Sequence, residues 1–355
     1  MTQNTPLSPC HLRITSDVRQ RVLSTAQLKA RGISPARAAE QCRAGGPWQQ
    51  PLPGVFVLHP GPLSGRERLR SALLYAGRPP ASGRRTPPAR ADGADPGYGE
   101  VMITGLAALS LYGFSAAPPT VSTDRIDVLV PRIRRLRSVR HVRLVRTSEL
   151  PRPQWLDGIP VAPVARALAD AVAGLGDAHA VRRLLTEAVR GGHCEPAVVV
   201  GELNRAKVLD RPQVVNAVDS LLAEGRALAE ERLYDMVRSH GLPEPLWNVD
   251  LRLPGGPHLG AVDAYWPEEA VAVELDTRAP RYSRLDDDRR QEQHEAEWSA
   301  YAARREHLER LGVTVVHLTP RKLRDTREQQ ATVVRTALMA AADRTPAAYV
   351  MILPR

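Results

Sequence analysis

A chain of 355 residues is long for a single hydrophobic core, so two or three domains are expected. Its 43% hydrophobic content suffices for globular cores, while 4% aromatic residues leave little for a carbohydrate- or base-stacking surface. The net charge is +10, and no run of about 18 apolar residues is present to span a membrane.

The N-terminal stretch has no apolar segment of the kind a secretory signal needs, and the three cysteines, Cys10, Cys42 and Cys194, form no CxxC pair. This excludes a zinc ribbon and predicts free thiols in a reducing cytoplasm. Charge is unevenly spread. Residues 1–150 hold 22 Lys and Arg against 9 Asp and Glu, whereas residues 151–355 hold 27 against 30. An N-terminal excess of +13 suits a half that meets a polyanion. The alternative is GC-rich coding, since only Lys29, Lys207 and Lys322 among the basic residues are lysines. Coding bias would raise Arg everywhere rather than in one half.

The first unit reads as a helix-turn-helix with a wing. "STAQLKARG" offers Ser24 or Thr25 as N-cap and Gly32 as a stop. In "ISPARAAEQCRAGG", Ser34 can cap and Pro35 suits the first helical position, where no N–H is needed. Gly45 and Gly46 can close that helix. Only Gly32, Ile33 and Ser34 separate the two, the short turn this motif requires. In "WQQPLPGVFVLHP", Pro51 to Gly54 predicts a turn and "VFVL" a strand; "SGRERLRSALLYAG" follows as a third helix. On the second helix Arg37, Gln41 and Arg43 can face a DNA groove, or belong to a solvated helix face. Residues 77–99, rich in Pro, Gly and Arg, read as a disordered basic linker.

The second unit opens with "VMITGLAALSLYGF", read as an apolar helix, then "IDVLVP" as a strand. Seven arginines crowd "RIRRLRSVRHVRLVR". Alternation in "HVRLVR" sets Arg143 on one face and Val142 and Leu144 on the other. Arg134, Arg135 and Arg143 are candidates for a second phosphate-contacting surface; a solvated strand edge is the other reading. Helices of ordinary amphipathic spacing run on to "NAVDSLLAEG".

The third unit begins near Ala227. "ALAEERLYDMVRSHGLPEP" predicts a helix, "LWNVDLRL", "GAVDAYWP" and "AVAVELD" three strands, residues 286–312 a long helix, "VTVVHLT" a fourth strand, and residues 320–343 a closing helix. Glu274 and Asp276 share a face by alternation, and Asp263 ends the neighbouring strand in this reading. Gathered carboxylates repel and resist burial, and a divalent cation removes that cost. Mg²⁺ or Mn²⁺ held by Asp263, Glu274 and Asp276 would serve phosphodiester hydrolysis, with Glu230 completing the set. The alternative is the wet face of a hairpin, against which the apolar "AVAV" run argues.

The landmarks "EERLYDMVRSHGLPEP", "VDAYWPEEAVAVELD" and "RREHLERLGVTVVHLTPRKL" resemble the very-short-patch-repair (Vsr)-like branch of the PD-(D/E)XK nuclease fold, over residues 227–340. The resemblance implies a catalytic set of Glu230, Asp263, Glu274 and Asp276. The lysine of the wider fold family is replaced by Asp276, as the Vsr-like relatives also lack it, so that absence alone does not exclude cutting; Thr277 stands where they often have Gly. "RAPRYS" supplies no His, only Arg278, Arg281 and Tyr282, and the nearest His on that side is His294. Arginine is no base at neutral pH, so these departures weigh against catalysis more than against the fold. Residues 15–220 resemble the AbiEi-type antitoxins of type IV toxin–antitoxin systems through "LSTAQLKARGISPARAAEQCRAGGPWQQPLPGVFVL", "TGLAALSLYGF", "IDVLVP" and "GIPVAPVARALAD". That resemblance implies operator binding by the winged helix and a cognate toxin as protein partner.

The expectation is an α+β multidomain chain: a winged helix-turn-helix (1–76), the linker (77–99), an α/β antitoxin-like domain (100–225), a PD-(D/E)XK-like mixed sheet flanked by helices (226–342), and a tail (343–355). The expected partner is double-stranded DNA, with no membrane association. Two functions follow: a transcription regulator with a silent nuclease-fold domain, or a Mg²⁺-dependent DNA endonuclease.

Overall fold

The structure, a computed structural model, describes residues 18–78, 98–277, 299, 302–342 and 350–354. Most of the predicted linker, the aspartates opening the long helix, and His294 lie outside them. The fold is mixed α and β with three sheets, and its contacts divide the chain into two compact units, residues 1–176 and 177–355. Among the described residues, no helix is long and apolar enough to cross a membrane.

The first unit opens with α1 (Val18–Arg21), β1 (Val22–Ser24), α2 (Thr25–Ala30), α3 (Pro35–Gln41), β2 (Gln49–Leu52), β3 (Val55–Val57) and α4 (Gly65–Gly77). Ser24 caps α2 in a reciprocal box with Gln27, and Ser34 accepts from the Arg37 amide with Pro35 in the first turn of α3. The predicted helix pair is therefore present with its predicted N-caps, but α3 ends at Gln41 with Cys42 as C-cap, short of the expected Gly45 and Gly46. β1 joins the β2–β3 hairpin in a three-stranded sheet ordered β1-β3-β2. Leu23, Leu28, Ala38 and Phe56 form its small core, supported by Ile33, Cys42, Trp48 and Leu58. Gly54 takes φ +76 at the hairpin turn, a conformation that favours glycine.

The rest of this unit comprises β4 (Met102–Thr104), α5 (Gly105–Leu111), β5 (Ile126–Pro131), β6 (Val142–Thr147), β7 (Gln154–Leu156), β8 (Ile159–Val161) and α6 (Val164–Gly174). The sheet order is β6-β5-β4-β8-β7. "VMITGLAALSLYGF" is not one helix. Its first residues form β4, paired with β5 and β8, and Gly105 turns the chain at φ +64 into α5.

The second unit holds α7 (Ala178–Arg190), α8 (Pro196–Arg205), α9 (Pro212–Ser239), β9 (Leu246–Arg252), β10 (His258–Trp266), β11 (Val271–Leu275), α10 (helical residues 302–310), β12 (Thr314–Leu318), α11 (Pro320–Asp325), α12 (Arg327–Ala341) and β13 (Met351–Pro354). The sheet order is β12-β11-β10-β9-β13, with β11 and β12 parallel and the other pairs antiparallel. The mixed sheet and the order helix, three strands, helix, strand agree with expectation. Apolar side chains of α9, α11 and α12 cover one face, around Trp266, Val273 and Leu318. Leu308 of α10 packs on the other, with Tyr265, Ala272 and Val315. The closing helix is two, joined at Thr326, and the tail supplies an edge strand.

The expected boundary at 225/226 falls inside α9, which runs unbroken for 28 residues. Gly225 is buried there, and an added Cβ would lie 2.4 Å from Pro196 Cγ. The glycine makes room for a neighbouring helix instead of ending its own. Ala at this position would gain about 1 kcal/mol in helix propensity. Displacing a proline ring costs about 1–3 kcal/mol. Gly225→Ala is therefore expected to lower the urea midpoint; a raised midpoint would show that the helices separate freely.

Candidate functional site

Two groups of side chains carry chemistry, one in each unit. In the first, the exposed side of α3 presents Arg37, the end of α2 presents Lys29 and Arg31, and Arg43, expected on the second helix, lies beyond it because α3 ends at Gln41 with Cys42 as its C-cap. Arg37, Lys29 and Arg31 make no side-chain ion pair among the described residues. Arg43 lies 4.0 Å from Glu40 with both side chains largely solvated, so their mutual hold is weak. Gln41 is half-buried, and its backbone carbonyl accepts from Trp48 N. Of the three helix candidates, Arg37 and Arg43 reach solvent and Gln41 stands at the margin of the core.

The second predicted surface is different. Arg143 alternates with buried Val142 and Leu144 as expected, but its guanidinium makes a bidentate pair with Asp127 at 2.6 and 2.5 Å. It is an internal counterion, not a phosphate contact. Arg134 is half-buried and donates to the Arg78 carbonyl at 3.1 Å, with burial lowering its pKa. Arg135 is exposed and unpaired among the described residues. Alternation located Arg143 correctly but could not reveal that Asp127 lies opposite it on the adjacent parallel strand. A cleft of about 640 Å³ nearby contains Arg21, Arg66 and Arg70. These are held by Glu67, Asp157 and, for Arg70, Tyr98 and the Val22 carbonyl, so the cleft reads as a structural seam.

In the second unit the four predicted carboxylates lie around the end of β11. The pairing of Ala264 with Val273 makes Asp263 and Glu274 the next opposed positions on β10 and β11. Both side chains are buried, whereas Asp276 and Glu230 are half-buried. Arg226 of α9 joins two of them, reaching Asp263 at 2.6 Å and Glu230 at 2.8 Å. The other Asp263 oxygen accepts from the Leu275 amide at 2.6 Å. Glu274 is gripped from α10 by Arg304 at 2.8 Å, with His317 of β12 at 3.6 Å from its second oxygen. Arg304 also donates to the Leu259 and Ala261 carbonyls, at the bulge where Gly260 takes φ +115. A Cβ on Gly260 would meet that guanidinium at 2.4 Å. Asp276 follows the strand, its amide bonded to Leu318 O at 2.8 Å.

Sequence reasoning expected these carboxylates to converge and did not name the partners that Asp263, Glu230 and Glu274 have, Arg226, Arg304 and His317. Arg226 is four residues before Glu230, the ion-pair spacing of a helix, and was legible on that ground. His317 comes beside Glu274 only through the parallel crossover. Among the described residues, no three His, Cys, Asp or Glu side chains are grouped to hold a metal ion. The donor set does not suit Mg²⁺ as arranged: both Asp263 oxygens are occupied, and Arg304 stands on Glu274. The chain matches no protein-family model, and no curated protein matches it.

Burial is the main influence on Asp127 and raises its pKa, outweighing the hydrogen bonds and charge of Arg143. A raised folded-state pKa means stability falls as pH climbs from the unfolded pKa through the folded one. Arg143→Ala would leave that carboxylate buried and uncompensated. The expected cost is about 3 kcal/mol at neutral pH, the low end for a buried pair because Arg143 keeps some exposure. Part of the loss should return at acidic pH, below the raised pKa, where Asp127 takes up a proton. Urea unfolding at both pH values checks this, and an equal loss at both would remove Asp127 as the cause. For Arg226 and Asp263, a double-mutant cycle should show a coupling of about 0.5–3 kcal/mol; independent effects would mean the contact holds nothing.

Proposed function

We propose that this chain is a DNA-binding transcription regulator whose first unit reads duplex DNA through a winged helix and whose second unit is a catalytically silent PD-(D/E)XK-like domain. The observation that carries the reading is the unpaired cationic end of the helix pair: Lys29, Arg31 and Arg37 face solvent beside a three-stranded hairpin sheet. A helix so placed can enter the major groove with Arg37 on a base edge and Arg43 on a phosphate. The N-terminal excess of positive charge supports the same partner. The antitoxin resemblance adds a cognate toxin as a protein partner.

Silence of the second unit rests on its counterions. Arg226 and Arg304 already neutralise Asp263 and Glu274, and the position of the fold family's lysine is an acid, Asp276. The endonuclease reading keeps one specific observation in its favour, the approach of Glu230 to Asp263 through their shared arginine.

A labelled duplex and a supercoiled plasmid test both statements. Wild-type protein should bind the duplex, and Arg37→Ala should bind at least about fivefold more weakly, since a base-edge contact contributes about 1–3 kcal/mol. Unchanged affinity in an Arg37→Ala/Arg43→Ala double variant would reject the winged-helix assignment. Plasmid incubated with the protein and Mg²⁺ or Mn²⁺ should stay uncut. Nicking abolished by Asp263→Ala and by Glu274→Ala would establish the endonuclease instead.

A further inference from the structure

The segment joining β5 to β6 carries most of the arginine-rich run, and its backbone is fastened at many points. Arg134 N bonds to Pro131 O, and Val139 and Val142 exchange backbone hydrogen bonds. Arg146 donates to the Leu136 carbonyl at 2.5 Å, and Tyr75 donates its hydroxyl to the Arg137 carbonyl at 2.8 Å. Arg140, held at φ +51, donates to the carbonyls of Gln50 and Pro51 at 2.8 and 2.5 Å. Those two residues belong to β2, the first strand of the hairpin that follows α3. The loop is thus docked on the hairpin within one compact unit.

The same fastening sorts the arginines. Arg134, Arg140 and Arg146 bind carbonyls. Arg132, Arg135 and Arg137 are exposed, and their side chains form no hydrogen bond or ion pair among the described residues. Between them stands Ile133, 88% exposed. Three unpaired guanidinia around a solvent-exposed aliphatic side chain, on a rigid loop, match the surface of a nucleic-acid groove: phosphates for the arginines, sugar edges for the isoleucine.

We infer that the β5–β6 loop is a second DNA-contacting element, in which Arg132, Arg135 and Arg137 engage backbone phosphates next to the duplex segment met by the hairpin. The inference rests on the winged-helix reading and extends it. The positioning residue is Arg140, which ties the loop to β2 and itself touches no phosphate.

The test measures duplex affinity across a salt series with the full chain and a mixed-sequence duplex. Each phosphate contact contributes about 0.9 to the slope of log K against log salt. The triple variant Arg132→Ala/Arg135→Ala/Arg137→Ala should flatten the slope by about 2–3, with the thermal midpoint unchanged. The corresponding triple lysine variant, which keeps the charges, should retain the slope. Arg140→Ala should flatten it partially by loosening the loop. A wild-type slope in the triple alanine variant overturns the inference and leaves the winged-helix reading standing, whereas absence of salt-dependent binding by the wild type overturns both. Equal weakening toward duplex and toward polyglutamate would mark a general acid-binding surface and overturn the DNA assignment.

Discussion

The carboxylate of Asp263 sits inside a sheet, and one guanidinium keeps it there. A buried charge without a partner costs several kcal/mol, so the position demands a cation or a proton. Arg226 supplies the cation from α9, and the Leu275 amide takes the remaining oxygen. This contact ties the helix before the sheet to the strand at its centre. It also fixes Glu230, the second acid on the same guanidinium. Arg304 does the corresponding work for Glu274 and closes the β10 bulge over Gly260. Arg143 and Asp127 repeat the device in the first unit, between two parallel strands. In each case the acid is on a strand, the arginine makes a close ion pair, and the pair resolves a burial problem that apolar packing alone leaves open.

The pairing decides which charges remain for a partner. A surplus of basic residues in a sequence says only that a polyanion is plausible. Arg143 and Arg70 are lost to the interior, and Arg66 to Asp157. Among the described residues that remain exposed and unpaired are Lys29, Arg31 and Arg37 on the helix pair and Arg132, Arg135 and Arg137 on the β5–β6 loop. Both groups lie in residues 1–150, where the charge excess is found.

Local signals were legible in the sequence. Ser34 followed by Pro35 placed the start of α3, Pro51 to Gly54 the hairpin turn, and the apolar runs around Asp263 and Glu274 the centre of the mixed sheet. Long-range choices were not. "MIT" joined the following helix in the reading because it is apolar and short, and only pairing with β5 and β8 makes it a strand. The boundary expected at 225/226 falls within α9, where Gly225 serves packing against Pro196 on another helix, a contact the local sequence does not show. The tail strand has no alternation strong enough to announce itself and exists through β9. The same limit hid the site: carboxylates can be read along a strand, but Arg304 and His317 reach Glu274 only after the crossover from β11 to β12.

Charge at the β11 rim argues for a division of labour between the units. Glu230, Asp263, Glu274 and Asp276 bring four negative charges there, while Arg226 and Arg304 return two positive ones. Arg226 takes one Asp263 oxygen and the Leu275 amide the other, while Arg304 and His317 stand on the two oxygens of Glu274. The residues from 151 onward are net acidic as a whole, at −3. The proposed duplex binding is assigned to the cationic first unit, and the arginine pairs of Asp263 and Glu274 are what the proposed silence of the second unit rests on.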